Sequence, residues 1–324
     1  MTTNRWLITG GAGYIGSAIA NRMFQKGFQS QVIDDLSNGH RNFLFEDITF
    51  YEGDIRDKDI LRKSLQGCNG VIHLAANKSV SHSLALPLEN IEENLTPLLS
   101  LLTLMREQGI DNLIFSSSAA VYGNVPIEKQ PIKESAQLCP TNAYGAAKSW
   151  CEDAIKLEIA SRHFLGLNPL KTVVMRYFNV VGVSGDSQDM SEGGLFSAIR
   201  RFYKNNEPVK IFGNGFDTKD GTAVRDYISL ADLVEAHIFL VASWQQLSKF
   251  LTTYNLSSNS PSTVLDVISE FEIQTSKKVV IEIQAERIGE IPHSQGDNSE
   301  FRNDFSWIPK NSLKTIVGDL LETF

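Results

Sequence analysis

The sequence lacks the features on which several large protein classes depend. Only three of its 324 residues are cysteine, and Cys68, Cys139 and Cys151 show no metal-ligand spacing. An odd number of such residues does not indicate a disulfide framework or a zinc site, and it fits a reducing cytoplasm. The six histidines have no paired spacing either, so no metal site is expected.

A positive net charge and a long apolar run are also missing. The formal net charge is −8, which leaves no broad basic field for a nucleic acid or an anionic membrane. No apolar stretch reaches the length that crosses a bilayer, and no signal-peptide core precedes residue 10. We therefore expect a cytoplasmic protein that binds neither nucleic acid nor membrane.

What the sequence does contain is an alternation of short apolar runs and helical patterns. The predicted strands are residues 6–9, 31–34, 48–51, 71–73, 113–116 and 173–176. The predicted helices are residues 14–26, 57–66, 84–107, 143–165 and 231–244. This order predicts an α/β fold with a Rossmann-type, doubly wound parallel sheet. Pro97 predicts a kink in the helix over residues 84–107.

The alternation loosens after residue 178, which predicts a domain boundary. We expect residues 1–180 to form a dinucleotide-binding domain to which residues 226–253 return. Residues 181–225 and 254–324 would form a smaller C-terminal α/β domain that binds the substrate. Between them lies an acidic stretch with Asp186, Asp189 and Glu192. It either covers the substrate and repels a carboxylate there, or is a solvated loop.

A glycine-rich turn follows the first predicted strand. Residues 10–16 read G-x-x-G-x-x-G, and the helix after them points its positive dipole end at the turn. Asp34 ends the second strand, where an acidic residue meets the adenosine ribose. The turn therefore predicts a dinucleotide site, and Asp34 favours NAD because it would repel a 2′-phosphate. A plain glycine loop, or Arg41 as a phosphate partner, is the competing interpretation.

A second group of residues predicts redox chemistry beside that turn. Tyr144 and Lys148 are four residues apart and share one face of a helix. Tyrosine is a poor base at neutral pH, but a nearby ammonium group and a positive nicotinamide ring stabilise its phenolate. Residues 116–118 are three serines at the end of a predicted strand, where a hydroxyl can hold the reacting oxygen. Taken alone, the tyrosine and lysine would be surface residues.

Eight segments together carry a family resemblance. They are GGAGYIGS (10–17), DDLSNG (34–39), GDIRD (53–57), HLAANKSV (73–80), SSSAAVYG (116–123), YGAAK (144–148), RYFNVVG (176–182) and DGTAVRDYI (220–228). With them the chain resembles, almost end to end, the NAD-dependent epimerase/dehydratase family of the extended short-chain dehydrogenase/reductase superfamily. Within that family it is most similar to the nucleotide-sugar 4-epimerases.

The resemblance implies NAD as the cofactor and assigns residues to it. Asp54 and Ile55 would meet adenine, Lys78 the phosphates or ribose, and Asn94 would make a structural or cofactor-side contact. The full implied set is Gly10, Gly13, Tyr14, Ile15, Gly16, Asp34, Asp35, Asn38, Asp54, Ile55, Leu74, Ala75, Ala76, Lys78, Asn94, Ser116, Tyr144, Lys148 and Tyr177.

The resemblance also implies catalytic and substrate-binding residues. Tyr144 would be the base, Lys148 its activator and ribose ligand, and Ser118 the hydroxyl on the substrate O4. The implied substrate set is Lys78, Ser118, Ala119, Tyr144, Phe178, Asn179, Gly194, Leu195, Lys210, Phe212, Arg225, Arg287, Glu290 and Ser294.

Three of these positions depart from the pattern of the family. Gly194 stands where the family has asparagine, and Glu290 where it has aspartate. The third, Ser294, is small where some members have tyrosine, which favours a pocket roomy enough for an N-acetylated sugar.

The residues after Ser118 select among the reactions of the family. Dehydratases and decarboxylases need an acidic group there, and this chain has Ala119 and Ala120. We therefore expect an isomerase, a 4-epimerase of a UDP-hexose that passes through a transient 4-keto sugar. The hexose would be glucose/galactose or the N-acetylated pair. A 4-ketosugar reductase or dehydrogenase, and a non-catalytic sensor of NAD or nucleotide sugar, are the alternatives.

The resemblance implies a homodimer as well. The helices over residues 84–107 and 143–165 would pair with those of a second copy as a four-helix bundle. Leu98, Leu101 and Leu102 would lie in that interface or in the core, whereas Trp150, Trp244 and Trp307 would pack inside the protein.

Overall fold

The fold is seen in a computed structural model that describes residues 4–184, 187–188, 194–287 and 289–324. Asp186, Asp189 and Glu192 lie outside the described residues. The strands are β1 (Arg5–Thr9), β2 (Gln29–Asp34), β3 (Thr49–Glu52), β4 (Gly70–His73), β5 (Asn112–Ser118), β6 (Lys171–Tyr177), β7 (Asn179–Val181), β8 (Val183–Ser184), β9 (Ser187–Gln188), β10 (Val209–Phe212), β11 (Val224–Ser229), β12 (Leu251–Leu256), β13 (Pro261–Thr263), β14 (Ile281–Gln284) and β15 (His293–Ser294).

The helices alternate with these strands. They are α1 (Tyr14–Gln25), α2 (Lys58–Ser64), α3 (Val80–Ala85), α4 (Pro87–Glu107), α5 (Ala143–Phe164), α6 (Leu195–Asn205), α7 (Leu230–Ala242), α8 (Val264–Thr275), α9 (Ser299–Phe305) and α10 (Leu313–Leu321). No helix in the described part of the chain is long and apolar enough to cross a membrane.

Seven parallel strands form the large sheet, in the order β12-β6-β5-β4-β1-β2-β3. The predicted parallel α/β sheet is therefore confirmed. The strand order reverses between β1 and β4, and in such sheets a crevice opens at this switch point beyond the carboxyl ends of the strands. Ligands bind there, so the fold itself indicates the position of the site.

Helices cover both faces of the sheet, and successive side chains of a strand point to opposite faces. Ile8 packs with Ile19 and Met23 of α1 on one face. Leu7 packs with Leu101 of α4 on the other. Helix α7 lies against α1, and β12 lies beside β6.

Two sequence predictions about the helices were wrong in detail. The helix expected over residues 84–107 is broken at Leu86, before Pro87, because the residue before proline is driven out of the helical region. Helix α4 continues through Pro97, and the kink expected there stays a prediction. Trp150, expected to pack inside, is 49% exposed, whereas Trp244 and Trp307 are buried.

A smaller body of structure follows β6. Strands β7, β13 and β15 extend from β11, and β10 pairs with β14. Its core is made by α6, α8 and α10, through side chains such as Phe202, Phe271 and Val317. The first of these elements, β7, begins directly after β6, so the smaller body starts at the carboxyl edge of the large sheet.

Candidate active site

The glycine turn lies at the switch point of the large sheet. Gly10 has a φ of +66°, and a Cβ there would lie 2.7 Å from the Ala75 nitrogen that follows β4. A Cβ on Gly16 would lie 2.2 Å from the Gly10 carbonyl oxygen, so only glycine permits this approach of α1. Gly13 precedes Tyr14 and Ile15 of α1 and caps it without a side chain. The positive end of the helix dipole therefore faces the turn, as an anion site requires.

Asp34 closes this turn from the side of β2. Its carboxylate accepts hydrogen bonds from the Ala12 and Leu36 amides, both at 2.9 Å. Burial raises the pKa of Asp34, and these backbone bonds oppose that rise. Gly39 packs so closely that a Cβ would lie 2.8 Å from an Asp34 oxygen. Two amide bonds leave acceptor capacity on the carboxylate for ribose hydroxyls.

The predicted adenine residues follow β3. The Gly53 amide donates to the Asp34 carbonyl at 2.9 Å, which places residues 53–55 beside the ribose end of the turn. Ile55 is buried there. Arg56, which the sequence analysis did not single out, donates to Asp54 through its side chain, and this bond lowers the pKa of Asp54.

On the same rim, Asp35 and Asn38 are exposed. The Asp35 carboxylate accepts from the Ser37 amide at 2.9 Å.

The loop after β4 borders the turn on its other side. The Leu74 amide donates to the Thr9 carbonyl at 3.1 Å, and residues 75–76 continue along the crevice. Asn94 of α4 holds this loop by two hydrogen bonds of 3.1 Å to the Asn77 backbone. The structure thus gives Asn94 a structural contact. The Lys78 ammonium lies 5.6 Å from the ring centroid of Tyr14, so it spans the mouth of the crevice.

The predicted catalytic residues meet at the carboxyl end of β5. The Lys148 ammonium lies 5.9 Å from the Tyr144 ring centroid and donates to the Ser116 carbonyl at 2.8 Å. Ser118 lies beside Tyr144, where its hydroxyl lowers the pKa of that phenol. Helix α5 approaches this closely because of Gly145, where a Cβ would lie 2.5 Å from a backbone oxygen. All three side chains therefore share one site.

Burial sets the protonation of this pair. It raises the pKa of Tyr144 to about 12, against the Ser118 hydroxyl, which lowers it. It lowers the pKa of Lys148 to about 8, while Cys151 and Glu152 act in the opposite direction. At neutral pH the lysine is therefore mainly charged and the tyrosine is a phenol. A cationic group bound beside the phenol would lower its pKa further.

Ser116 and Tyr177 are both in the implied cofactor set, but their hydroxyl groups are hydrogen-bonded inside the protein. The Ser116 hydroxyl is buried and donates to the His73 carbonyl at 2.9 Å, so only its own carbonyl serves Lys148. The His237 Nδ1 lies 2.8 Å from a backbone carbonyl and must carry the proton. The Tyr177 hydroxyl therefore donates to Nε2 at 2.8 Å and points into the core.

Most of the cationic side chains of the implied substrate set belong to the smaller body. Arg225 of β11 forms an ion pair with Glu290. Strand β15 lies beside β11, and its Ser294 is the register partner of Arg225. The Arg287 guanidinium lies 3.6 Å above the ring centroid of Phe212. The exposed Lys210 lies two residues from Phe212 on the same strand and shares its outer face, opposite the two buried positions of β10.

The remaining predicted substrate residues are more dispersed. Ala119 follows Ser118 in a 3₁₀ turn beside the catalytic residues. Phe178, which the resemblance assigns to the substrate, is buried in a cluster with Val121. Asn179 is exposed at the start of β7. Gly194 caps α6, which begins at Leu195, and a Cβ there would meet nothing within 4 Å.

One residue that supports the site from beneath was overlooked in the sequence analysis. Asp226 is fully buried on β11, next to Arg225, and its carboxylate accepts four hydrogen bonds. They come from the Ser258 amide and hydroxyl, both at 2.6 Å, the Asn259 amide at 3.1 Å and the Gly296 amide at 3.3 Å. Burial raises the pKa of Asp226. Its place in RDY, directly after a predicted ligand, was the available signal.

The fold and the site define a class of protein. A glycine turn at the switch point and a Tyr144–Lys148–Ser118 group at the end of β5 characterise a Rossmann-type enzyme of the extended short-chain dehydrogenase/reductase kind. The chain belongs to the NAD dependent epimerase/dehydratase family, whose profile matches residues 6–256.

Within this family, the chain is similar to known UDP-glucose 4-epimerases in both sequence and structure. The chain is 32% identical to the UDP-glucose 4-epimerase of Corynebacterium glutamicum over 319 residues, 97% of this chain and 93% of that protein. It is 33% identical to the UDP-glucose 4-epimerase of Bacillus subtilis over 334 residues, 97% of this chain and 94% of that protein. The structure of the Stenotrophomonas maltophila UDP-glucose 4-epimerase, with bound NAD and formylated UDP-arabinopyranose, matches with a TM-score of 0.90. That match has 30% identity and covers 98% of this chain and 97% of the other.

Proposed function

We propose that this chain is an NAD-dependent 4-epimerase of a UDP-hexose. The observation that carries the proposal is the meeting of Ser118, Tyr144 and Lys148 at the switch-point crevice. No carboxylate follows Ser118 in its 3₁₀ turn, where Ala119 and Ala120 stand. Elimination lacks its acid there, so reversible oxidation at C4 is the chemistry that the group supports.

The residues of the crevice fit NAD. The cradle at Gly10 and Gly16 has no room for a Cβ, and Gly13 leaves the start of α1 open to a pyrophosphate. Asp34 would hold the adenosine ribose, and Lys148 the nicotinamide ribose. When bound, NAD supplies the acceptor and then the donor of one hydride at C4.

The side chains then divide the proton chemistry between them. Ser118 would hold the O4 hydroxyl and, from its place beside Tyr144, direct its proton to the phenolate. Lys148, fixed by the Ser116 carbonyl, stabilises that phenolate by its charge. Tyr144 returns the proton to O4 when the sugar is reduced on its other face. The same residues therefore serve both directions of the reaction.

The nucleotide would bind the smaller body. Arg225 and Arg287 would grip the diphosphate, since a guanidinium matches phosphate oxygens in pairs. The uracil edge would lie along Lys210 and Phe212. Ser294 lies on β15 opposite Arg225. Its small side chain would leave room in the sugar pocket for an N-acetylated hexose.

Assembly and location are part of the proposal. We infer a homodimer through α4 and α5, because these helices expose Leu88, Leu99, Trp150 and Leu157. Leu98, Leu101 and Leu102, for which interface and core were both open, are buried in the core. Analytical ultracentrifugation of the purified protein tests the dimer. The three free cysteines support a cytoplasmic location.

Turnover without added cofactor tests the function. Purified protein is incubated with UDP-glucose, UDP-galactose and their N-acetylated counterparts, and the C4 epimers are separated. We expect interconversion without accumulation of NADH, and its loss in Tyr144→Phe with NAD still bound. Stoichiometric release of NADH would instead indicate a dehydrogenase, and bound NAD with no turnover of any sugar would indicate a sensor.

A further inference from the structure

A buried ion pair lies directly behind the catalytic residues. Glu152 on α5 and Arg176 on β6 are 2% and 5% exposed. The Arg176 guanidinium donates to both carboxylate oxygens of Glu152, at 3.0 and 2.6 Å. Neither residue was assigned a role by the sequence motifs, and neither faces the crevice with a free polar atom.

The pair also binds the strand that carries the catalytic serine. The Ser117 hydroxyl donates to Glu152 at 2.6 Å. Ser117 stands between Ser116, whose carbonyl holds Lys148, and Ser118, which lies beside Tyr144. Glu152 therefore ties the end of β5 to α5 at the point where both contribute to the site.

The Glu152 carboxylate also acts on Lys148 through its negative charge. It lies four residues after Lys148, one turn along the same helix. Burial lowers the pKa of Lys148 to about 8, and Cys151 and Glu152 oppose this. Since burial raises the pKa of the Cys151 thiol to about 11, that group is neutral at pH 7. Of the two groups, the Glu152 carboxylate is then the one whose charge favours the ammonium form.

The other groups around Lys148 do not replace that charge. On β4, His73 is neutral, because burial and the lysine charge lower its pKa to about 3. Strand β5 contributes the Ser116 carbonyl and the Phe115 ring, which is 4.9 Å from the ammonium. Strand β6 contributes Arg176, a cation. On α5 itself the remaining group is Tyr144, a phenol at neutral pH.

We propose that Glu152 is a positioning residue for the catalytic pair: it clamps the end of β5 to α5 through Ser117, and its charge keeps Lys148 protonated beside Tyr144. This inference rests on the proposed function for its kinetic consequences. Its electrostatic part concerns Lys148 alone and does not require turnover.

The main variant is Glu152→Gln, and the matched control is Glu158→Gln. Glu158 lies on the same helix, is also buried and is also paired with arginine, but it is farther from the site. Removing the Glu152 charge lowers the pKa of Lys148, so the alkaline limb of kcat should move about one pH unit lower. Glutamine can still accept from Ser117 but not both bonds from Arg176, so the clamp should weaken and kcat fall about 10-fold, with KM for the UDP-hexose nearly unchanged. Glu158→Gln should lose stability but keep both kinetic properties.

A second readout is independent of catalysis. The protein is labelled with ¹³C at the lysine ε-carbon, and the Lys148 resonance is identified by its loss in Lys148→Met. Its titration midpoint should be lower in Glu152→Gln than in the wild type and unchanged in Glu158→Gln. If the wild type converts no UDP-hexose, the proposed function fails, and this titration still decides the inference.

Ser117→Ala keeps the test decisive if Glu152→Gln does not fold. It removes only the bond between β5 and Glu152, so kcat should fall several-fold while the Lys148 midpoint stays. A wild-type kcat in Ser117→Ala would overturn the clamp. The inference also fails if Glu152→Gln leaves the Lys148 midpoint in place, or if Glu158→Gln loses as much kcat as Glu152→Gln.

Discussion

The Lys148 ammonium donates a 2.8 Å hydrogen bond to the backbone carbonyl of Ser116, so the end of a strand fixes the lysine that lies beside Tyr144. The bond holds the cation below the Tyr144 ring without using a side chain that could titrate. Burial lowers the pKa of Lys148 to about 8, so the charge of its ammonium group changes with pH near that value.

Activity should therefore fall on the alkaline side of pH 8. A buried lysine with a lowered pKa loses its proton as the pH rises through that value, and the phenolate of Tyr144 then loses its stabilising charge. Lys148→Arg keeps a cation at every accessible pH. We expect its kcat to be about 10- to 100-fold lower, because the guanidinium is displaced, but without the alkaline limb. Profiles of kcat against pH measure this.

Lys156→Arg is the control for that experiment. Lys156 lies on the same helix, exposed and paired with Asp153. Its replacement should leave the wild-type profile. Retention of a limb near pH 8 in Lys148→Arg would assign the titration to another group.

Gly16→Ala should abolish cofactor binding. The new Cβ would lie 2.2 Å from the Gly10 carbonyl oxygen and 2.6 Å from the Gly11 Cα, and neither backbone atom can move aside alone. We expect purified protein without NAD, measured by chromatography of the released nucleotide, and a loss of stability above about 1 kcal/mol. Gly318→Ala, in α10, should instead raise stability by about 0.5–1 kcal/mol and keep NAD. Full NAD content in Gly16→Ala would refute so close an approach of α1 to the turn.

Glu158→Ala should destabilise the fold without changing catalysis. Glu158 joins Arg106 of α4 to the buried Arg162 of α5, and its removal leaves Arg162 with Asp111 as its carboxylate partner. Because Arg162 keeps one carboxylate partner, we expect a loss of about 1.5–3 kcal/mol in urea unfolding at pH 7, the range for hydrogen bonds to charged groups. The exposed Asp153→Ala on the same helix should cost at most about 1 kcal/mol.

The pH dependence of that contribution has a definite sign. Burial raises the pKa of Glu158, but the hydrogen bonds from Arg106 and Arg162 outweigh it, so the pKa is lowered overall. The stabilisation is present above the ordinary carboxyl pKa and is lost as the pH falls through the lowered one. Equal unfolding free energies of wild type and Glu158→Ala at pH 7 would contradict the pairing.

Arg287→Ala should weaken substrate binding rather than the chemical step. The guanidinium lies on the Phe212 ring, away from Tyr144, and a charge-assisted contact with a phosphate is worth about 1.5–3 kcal/mol. We expect KM for the UDP-hexose to rise about 10- to 100-fold with kcat nearly constant. Arg287→Lys should give an intermediate KM, since it keeps the charge and loses the paired geometry. A fall in kcat at constant KM would place Arg287 elsewhere.

The core strands of the sheet could be predicted because they are buried on both faces and read as apolar runs. Strand β12 was not predicted: it lies at the edge of the sheet, and Thr252 and Thr253 interrupt its apolar character. The sequence left open whether Leu98 lies in the core, where the structure has it, or in a dimer interface. Helical spacing identifies an apolar stripe, but not whether that stripe meets the sheet or a second chain.

The site divides in the same way. Tyr144 and Lys148 are close in sequence, so helical spacing was enough to bring them together. The Glu152–Arg176 pair joins a helix to a strand 24 residues later, and only the packing of α5 on β6 selects these partners. Glutamate four residues after the lysine was visible, but nothing local distinguished it from a surface charge.

The four bonds on Asp226 bear on how such a protein can diversify. They pin Ser258, Asn259 and Gly296, so the excursion between residues 259 and 296 leaves and returns at one carboxylate. That excursion carries Arg287, Glu290 and Ser294. Substitutions at exposed residues of this excursion would leave the bonds of Asp226 and the parallel sheet in place, so a new preference for sugar or base can arise there by changes of side chain.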